Sequence, residues 1–240
     1  MDKPLSLVEH LEELRKRIII CVVSLAVGIL VGFPFSSPIL KILKLPAKGL
    51  IEKLVFFSPQ EAFLIYMNIA LFSGLVISLP VILYQFWAFV LPAVEEKLRK
   101  YIGFFLFFCL IFFISGCLFA YFVLIPPSLK FLLGFASGEL EPVICASKYI
   151  SFLLSLILGC GVVFQMPVLS FLLSKIGIIN AKILRKKYKY ALVMIFIIAA
   201  AITPTTDIFN MLALAVPMLL LYEISIWISF LAANKQKVKE

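Results

Sequence analysis

The 240-residue sequence has one histidine, His10, and charged residues make up only 15% of it. A lone histidine cannot form a two-histidine metal or catalytic pair, and the sequence contains neither an HExxH nor a GxSxG motif. Its five cysteines show no CxxC spacing, which indicates neither a disulfide framework nor a metal site. We therefore expect no cofactor, no metal and no enzymatic activity, and an intramembrane enzyme is the weakest alternative.

Apolar residues, by contrast, make up 63% of the sequence, and the mean hydropathy is +1.13. This composition predicts a polytopic helical membrane protein rather than a soluble domain. The N-terminus lacks the pattern of a cleavable signal peptide, because its first apolar run is too long. The net charge of +9 does not indicate nucleic-acid binding, because the basic residues lie beside the apolar runs and so report membrane topology.

Six apolar runs predict an all-α integral membrane protein with six transmembrane helices in a single domain, residues 1–240. The approximate spans are 18–38, 62–91, 102–125, 149–174, 191–205 and 208–231. The fifth is short for a bilayer, and the sixth reaches full length only with Glu223 inside the membrane. Sixteen lysines and arginines lie on the side of the termini and six on the other side, so we expect both termini in the cytoplasm.

Prolines inside three of the runs, at Pro80, Pro167 and Pro217, predict bent helices, because each removes a backbone hydrogen bond. Two further stretches, Pro38–Leu43 and Pro127–Leu132, are typical of short amphipathic helices. We expect both to lie on the side of the membrane opposite the termini.

The segment 5–17, ahead of the first run, predicts an amphipathic helix at the membrane surface. Glu12 and Glu13 lie one helical turn before Lys16 and Arg17, so we expect two ion pairs between residues four apart. A helix that only rested on an anionic membrane would gain from replacing its acids with lysine. The retained carboxylates therefore suggest that this helix holds a cationic ligand.

Five carboxylates form the candidate binding site for that ligand. They are Glu9, Glu12 and Glu13 in the N-terminal helix and Glu95 and Glu96 in the first loop on the same side. Two carboxylate clusters on one face can each hold a guanidinium group through paired hydrogen bonds.

Polar residues inside the apolar runs are a second group of candidates. Glu223 is costly within a membrane, so it is either functional or a protonated residue that locks a helix contact. Gln165 and Asn68 are either functional or hydrogen-bonding links between helices. Asp207 either acts as an acid or caps the sixth helix. The main functional alternative, a secondary solute or ion transporter coupled through Glu223, is disfavoured because the sequence shows no internal repeat.

Several motifs, in this order and at these distances, give the chain a close resemblance to the TatC family, the multispanning receptor subunits of twin-arginine protein translocases. They are His10–Arg15 (HLEELR), Ser58–Phe63 (SPQEAF), Pro80–Trp87 (PVILYQFW), Phe119–Phe122 (FAYF), Phe164–Pro167 (FQMP) and Pro217–Ile224 (PMLLLYEI). Any one of them alone is a weak signal, but together they cover nearly the whole chain.

The resemblance implies a concave, glove-like fold of six helices in the cell inner membrane. It further implies an oligomeric receptor complex that binds the Arg-Arg signal peptides of folded precursor proteins. Partners would be single-span subunits of the TatA and TatB type, and export would be driven by the proton-motive force.

The resemblance also assigns individual residues. The N-terminal recognition glutamate of the family falls on Glu13, and Glu61 and Asp207 match acidic positions on the outer side of the membrane. Gln165 stands where many members have glutamate, in the hollow that contacts partner subunits, and Glu223 is the second polar residue within the membrane. A glutamine cannot titrate, so at this position we expect hydrogen bonding rather than a protonation step.

The sequence departs from the family in its first cytoplasmic loop. The second recognition glutamate of the family falls on Leu98, and the family lysine in the second span is Asn68 here. Glu95 lies one helical turn before Leu98 and on the same face if the stretch is helical. Our hypothesis is that Glu95, or as the second choice Glu96, supplies the missing carboxylate.

Overall fold

The computed structural model describes residues 7–51, 54–90, 102–134, 143–175, 177, 179–203 and 207–237. These residues are mostly helical, which confirms the all-α prediction. The α-helices are α1 (Leu7–Gly32), α2 (Ser36–Lys44), α3 (Pro59–Val90), α4 (Ile102–Phe119), α5 (Ile125–Gly134), α6 (Ala146–Val163), α7 (Met166–Lys175), α8 (Ala181–Lys186), α9 (Tyr188–Ile202) and α10 (Ile208–Lys237). Two strands of two residues each, β1 (Leu54–Val55) and β2 (Ile144–Cys145), pair in parallel.

Five helical stretches are long and apolar enough to cross a membrane. Within the described residues they are Leu11–Ala47, Pro59–Phe89, Gly103–Gly134, Ala146–Lys175 and Ile208–Leu231. The helix of the fifth apolar run, α9, is apolar but has only 15 residues and is not one of these five. At 1.5 Å per residue α9 is about 22 Å long against a hydrocarbon core of about 30 Å, so the helix of the fifth apolar run is short, as its length in the sequence predicts.

The first helix unites two segments that the sequence pattern separates. The expected surface helix 5–17 and the expected span 18–38 form one continuous α1 up to Gly32. A 3-10 turn, Phe33–Phe35, and then α2 follow. The first proline of this stretch is Pro34, so the acidic face of α1 is a rigid extension of the apolar run.

The fourth apolar run is one candidate span, Ala146–Lys175, built from two helices. Near the expected bend, α6 ends at Val163 and α7 begins at Met166. Pro167 is the second residue of α7, where a missing backbone N–H leaves no intrahelical bond unmade. Pro80 and Pro217 do lie within continuous helices, α3 and α10.

The third run is longer than the predicted 102–125. A π-helical turn, Ala120–Leu124, joins α4 to α5 without a break, so the expected short helix Pro127–Leu132 is the end of the same rod. Pro126 and Pro127 follow this turn and have no N–H to donate, which accounts for the wider hydrogen bonding there. The other expected short helix, Pro38–Leu43, lies within α2 and is confirmed.

The chain divides into two compact units. Unit 1 contains the described residues of 1–42 and 63–110. In it the backbones of α1 and α3 touch: a Cβ atom on Gly28 would lie 2.5 Å from the carbonyl oxygen of Gly74, and one on Gly74 would lie 2.6 Å from the amide nitrogen of Ile29. Small residues permit this close approach, which is the usual way for helices to associate in lipid.

Unit 2 contains the described residues of 43–62 and 111–240. The strands β1 and β2 pair here with Leu54 opposite Ile144 and Val55 opposite Cys145. The Tyr149 hydroxyl donates a 2.9 Å hydrogen bond to the carbonyl oxygen of Leu43. The helices α7, α8 and α9 all contact α10, so the last long helix is the common packing partner within this unit.

Candidate functional site

The acidic face of α1 carries a charged contact that reaches α3 within unit 1. Arg17 donates to Oε1 of Glu13 from Nε at 3.1 Å and from Nη2 at 2.5 Å. Its remaining nitrogen, Nη1, donates to Oε1 of Gln85 at 3.0 Å. The guanidinium of Arg17 therefore bridges a carboxylate of α1 and an amide near the end of α3.

The second expected pair, Glu12 with Lys16, is present but different in character. The Lys16 ammonium lies 3.7 Å from the Glu12 carboxylate, and the two side chains are 72% and 63% exposed. The Arg17 and Glu13 side chains are only 21% and 26% exposed. Both predicted ion pairs are confirmed, and the one at Glu13 is the less exposed, so solvent screens it less.

The Glu13 carboxylate still has capacity to accept hydrogen bonds. An ionised carboxylate offers about four acceptor sites on two oxygens. Both bonds from Arg17 fall on Oε1, and within the described part of the chain no bond is made to Oε2. Oε2 can therefore make a first contact with another guanidinium group, but a paired contact with both carboxylate oxygens requires Arg17 to give up Oε1.

Gln85 is the residue of this site that the sequence analysis did not single out. It stands near the end of the second apolar run, where the sequence signals are an uncharged amide between Tyr84 and Phe86 and its place in the PVILYQFW motif. Its contact with Arg17 joins residues 68 positions apart. Helical periodicity predicts contacts within one helix but not between helices this far apart in sequence.

The remaining members of the expected acidic site are described only in part or not at all. The backbone of Glu9 is in the first turns of α1. Glu95, Glu96 and Leu98 lie outside the described residues. The proposal that one of the two loop glutamates replaces the carboxylate missing at Leu98 therefore stays a prediction.

Of the outer-side acids, Glu61 is engaged at the start of α3 in unit 2. Its Oε2 accepts a 2.9 Å hydrogen bond from the amide of Phe57, and the Cys145 thiol lies 3.5 Å from the same oxygen. The carboxylate thus accepts a hydrogen bond from a backbone donor at the helix N-terminus. Its negative charge also interacts favourably with the positive end of the helix dipole.

Asp207, the other outer-side acid, caps α10. Its Oδ1 accepts a 2.7 Å hydrogen bond from the amide of Asn210, and its Oδ2 accepts one of 2.9 Å from the Asn210 side chain. A bond from the third helical residue to the preceding aspartate is the defining contact of an N-cap. The capping alternative for Asp207 is confirmed.

The two polar residues expected within the membrane both lie in unit 2. Gln165 stands at the break between α6 and α7, where its backbone N–H donates to the carbonyl of Val162 and its backbone carbonyl accepts from the N–H of Leu169. Glu223 is half-buried in α10, and no hydrogen bond or ion pair joins it to another residue that the structure describes. The described residues also include no group of three His, Cys, Asp or Glu side chains able to hold a metal ion.

The five long apolar helical stretches of the described residues define a polytopic helical membrane protein. The family described as Sec-independent protein translocase protein (TatC) matches residues 9–217 of the chain. The chain belongs to this family.

Relatives and solved structures agree with this assignment. The TatC protein of Carboxydothermus hydrogenoformans is 41% identical over 228 residues, covering 95% of this chain and 94% of its own. That of Koribacter versatilis is 40% identical and covers 99% of this chain and 89% of its own. A crystal structure of the twin-arginine translocase receptor TatC superposes with a TM-score of 0.85 at 38% identity, covering 93% of this chain and 99% of its own. The expected fold is confirmed.

Proposed function

We propose that the chain is the signal-peptide receptor of a Sec-independent translocase. It binds the Arg-Arg pair of precursor signal peptides and assembles with single-span subunits of the TatA and TatB type. Folded precursors then cross the membrane, driven by the proton-motive force. Membership of the TatC family supports a translocase over a secondary transporter coupled through Glu223.

The observation that carries the proposal is the Glu13 carboxylate. It is largely shielded from solvent, accepts two hydrogen bonds from one guanidinium on Oε1, and has a second oxygen to which no described residue donates. A guanidinium of the signal peptide matches this oxygen in charge and in geometry. Glu9 and Glu12 on the same helix add negative charge, and Glu95 or Glu96 supplies the second carboxylate.

The proposed orientation has both termini in the cytoplasm and the chain in the cell inner membrane. It is supported by the sixteen basic residues expected on the side of the termini, against six on the other. The acidic end of α1 then faces the compartment in which precursors are made. Glu61 and Asp207 lie on the outer side, where their carboxylates stabilise the starts of α3 and α10.

Gln165 and Glu223 are the proposed contacts for the single-span subunits. Gln165 lies at the break between α6 and α7 and Glu223 lies in α10, and both are half-buried polar residues of unit 2. A partner helix that donates or accepts a hydrogen bond gains most where lipid offers no alternative partner.

Peptide binding to the full-length, detergent-solubilised chain tests the receptor proposal. Each charge-assisted contact contributes about 1.5–3 kcal/mol. Glu13→Gln is therefore expected to lower the affinity of the chain for a twin-arginine peptide by about tenfold or more. Glu61→Gln is the matched control: it removes the same charge and keeps an acceptor for the Phe57 amide, so we expect parental affinity. If Glu13→Gln binds as tightly as the parent, the assigned site is wrong.

The loop carboxylate needs a separate experiment. Single cysteines are introduced at positions 95, 96 and 98 of a chain whose native cysteines are replaced, and a bound signal peptide carries a thiol-reactive crosslinker. We expect crosslinking to be strongest at position 95. Strongest crosslinking at 98, or none at all three positions, would contradict the choice of Glu95.

A further inference from the structure

We infer that Arg17 is a placeholder: it occupies Glu13 until a guanidinium of the signal peptide displaces it. Gln85 keeps a hydrogen bond to Arg17 after this displacement. The inference rests on the proposed function, because it assigns roles to the neighbours of Glu13 in the same site. It makes Arg17 and Gln85 residues that determine affinity and specificity for the arginine pair.

The placement of the guanidinium of Arg17 is the first step of the argument. Its Nε and Nη2 atoms both donate to Oε1 of Glu13, so Arg17 presents the edge that arginine uses in paired contacts but occupies one carboxylate oxygen. Arg17 thus occupies the side of Glu13 that an arginine ligand would use. A peptide guanidinium that pairs with both oxygens needs Oε1 and is repelled by the like charge of Arg17, so peptide binding and the Arg17 contact compete.

The contact is weak enough to be exchanged. Glu13 and Arg17 are four residues apart on one helix, and each side chain is about one quarter exposed to solvent (26% and 21%). Ion pairs of this type typically change an equilibrium by less than about tenfold. A peptide that brings a second arginine and further contacts can therefore displace Arg17.

Gln85 provides the hydrogen-bond acceptor that Arg17 retains after it leaves Glu13. Its Oε1 atom already accepts from Nη1 of Arg17 at 3.0 Å, so this bond remains when the other edge leaves Glu13. Without any acceptor, the half-buried guanidinium of Arg17 would not readily leave Glu13, because an unpaired, half-buried donor costs free energy. As a neutral amide, Gln85 holds Arg17 without attracting the arginines of the peptide to itself.

The placeholder also favours arginine over lysine in the ligand. To displace Arg17, a ligand must form a better contact with Glu13 than a guanidinium does. A planar fork can do so, whereas the point charge of an ammonium group forms a less directional contact. Without Arg17 this threshold disappears, and the preference for arginine should decrease.

The test measures binding of a twin-arginine and a twin-lysine peptide to the full-length chain in detergent at about 0.15 M ionic strength. Arg17→Gln is expected to tighten twin-arginine binding by about two- to fivefold and to reduce the ratio between the two affinities. The matched control is Arg15→Gln, which removes the same charge two residues away. Arg15 makes no ion pair with a carboxylate of the described residues.

Weaker binding by Arg17→Gln, or a gain no larger than that of Arg15→Gln, overturns the inference. In the first case Arg17 only supports Glu13, and in the second the gain is a general charge effect. Arg17→Lys is the second variant should Arg17→Gln fail to fold. It keeps the charge but loses the fork, so it is expected to tighten binding in the same direction and by less.

Gln85→Leu tests the acceptor. With Arg17 present we expect binding to weaken by about two- to fivefold, and in the Arg17→Gln background we expect no change. Equal weakening in both backgrounds would mean that Gln85 acts on the peptide directly and would overturn its role. If Glu13→Gln abolishes binding but Arg17→Gln gives no gain, only this inference fails; if Glu13→Gln has no effect, the proposed function loses its site as well.

Discussion

The hydroxyl of Ser174 donates a 2.6 Å hydrogen bond to the hydroxyl of Ser229, and both side chains are fully enclosed. The bond joins α7 to α10 within unit 2. Lipid chains offer no alternative donor or acceptor, so a buried hydroxyl pair of this kind holds two helices in register.

A double-mutant cycle at Ser174 and Ser229 should detect this bond. We expect a coupling energy of about 0.6 kcal/mol, and at most about 1.7 kcal/mol, because interhelical hydrogen bonds in membranes have these strengths. The measurement is thermal unfolding of the detergent-solubilised chain with Ser174→Ala, Ser229→Ala and both substitutions.

Ser225→Ala is the control for that cycle. Ser225 is equally buried in α10, but its hydroxyl donates to the carbonyl of Leu221 in the same helix. Its substitution should be additive with Ser174→Ala. Additivity of the Ser174 and Ser229 substitutions as well would show that the interhelical bond contributes nothing to stability.

The contact between α1 and α3 gives a second prediction. Gly74→Ala is expected to destabilise the chain by about 1–3 kcal/mol, because the new Cβ would lie 2.6 Å from the backbone of Ile29 and the helices must separate. The same unfolding measurement reads the effect. Gly103→Ala in α4, where the new Cβ meets no other described part of the chain within 4 Å, is expected to be neutral or slightly stabilising. Equal effects of the two substitutions would contradict close packing at Gly74.

The cap at Asp207 gives a third prediction, which separates its structural role from its charge. Asp207→Ala should lower the free energy of unfolding by about 0.5–2 kcal/mol, because the N-cap acceptor is lost. Asp207→Asn keeps an acceptor at the same place and should retain most of the stability. If the asparagine variant is stable but inactive in precursor export, the charge of Asp207 matters beyond the cap.

Contacts within one helix were predictable from sequence, whereas contacts between helices were not. The pairing of Glu13 with Arg17 follows from a spacing of four residues, which any helix brings to one face. The cap at Asp207 depends on one residue type at a helix start. By contrast, the Gln85 contact depends on how two helices lie side by side, and no local pattern encodes that arrangement.

Helix continuity was predictable only in part, for a related reason. Apolar composition indicates that a stretch lies in lipid, but it does not distinguish one rod from two. Pro80 and Pro167 carry the same local signal, yet one lies inside a helix and the other near the start of a new one. Which outcome occurs depends on whether neighbouring groups satisfy the freed carbonyls, and that is decided by tertiary packing.

The break between α6 and α7 bears on hydration. In an unbroken helix the carbonyl of Val163 would accept from the backbone nitrogen of residue 167, which in this chain is a proline without a hydrogen. Hydrocarbon cannot solvate a carbonyl that lacks a donor, so we expect the break to accept water or a polar group more readily than an unbroken helix would. That capacity would come from main-chain atoms and would not depend on a titrating side chain.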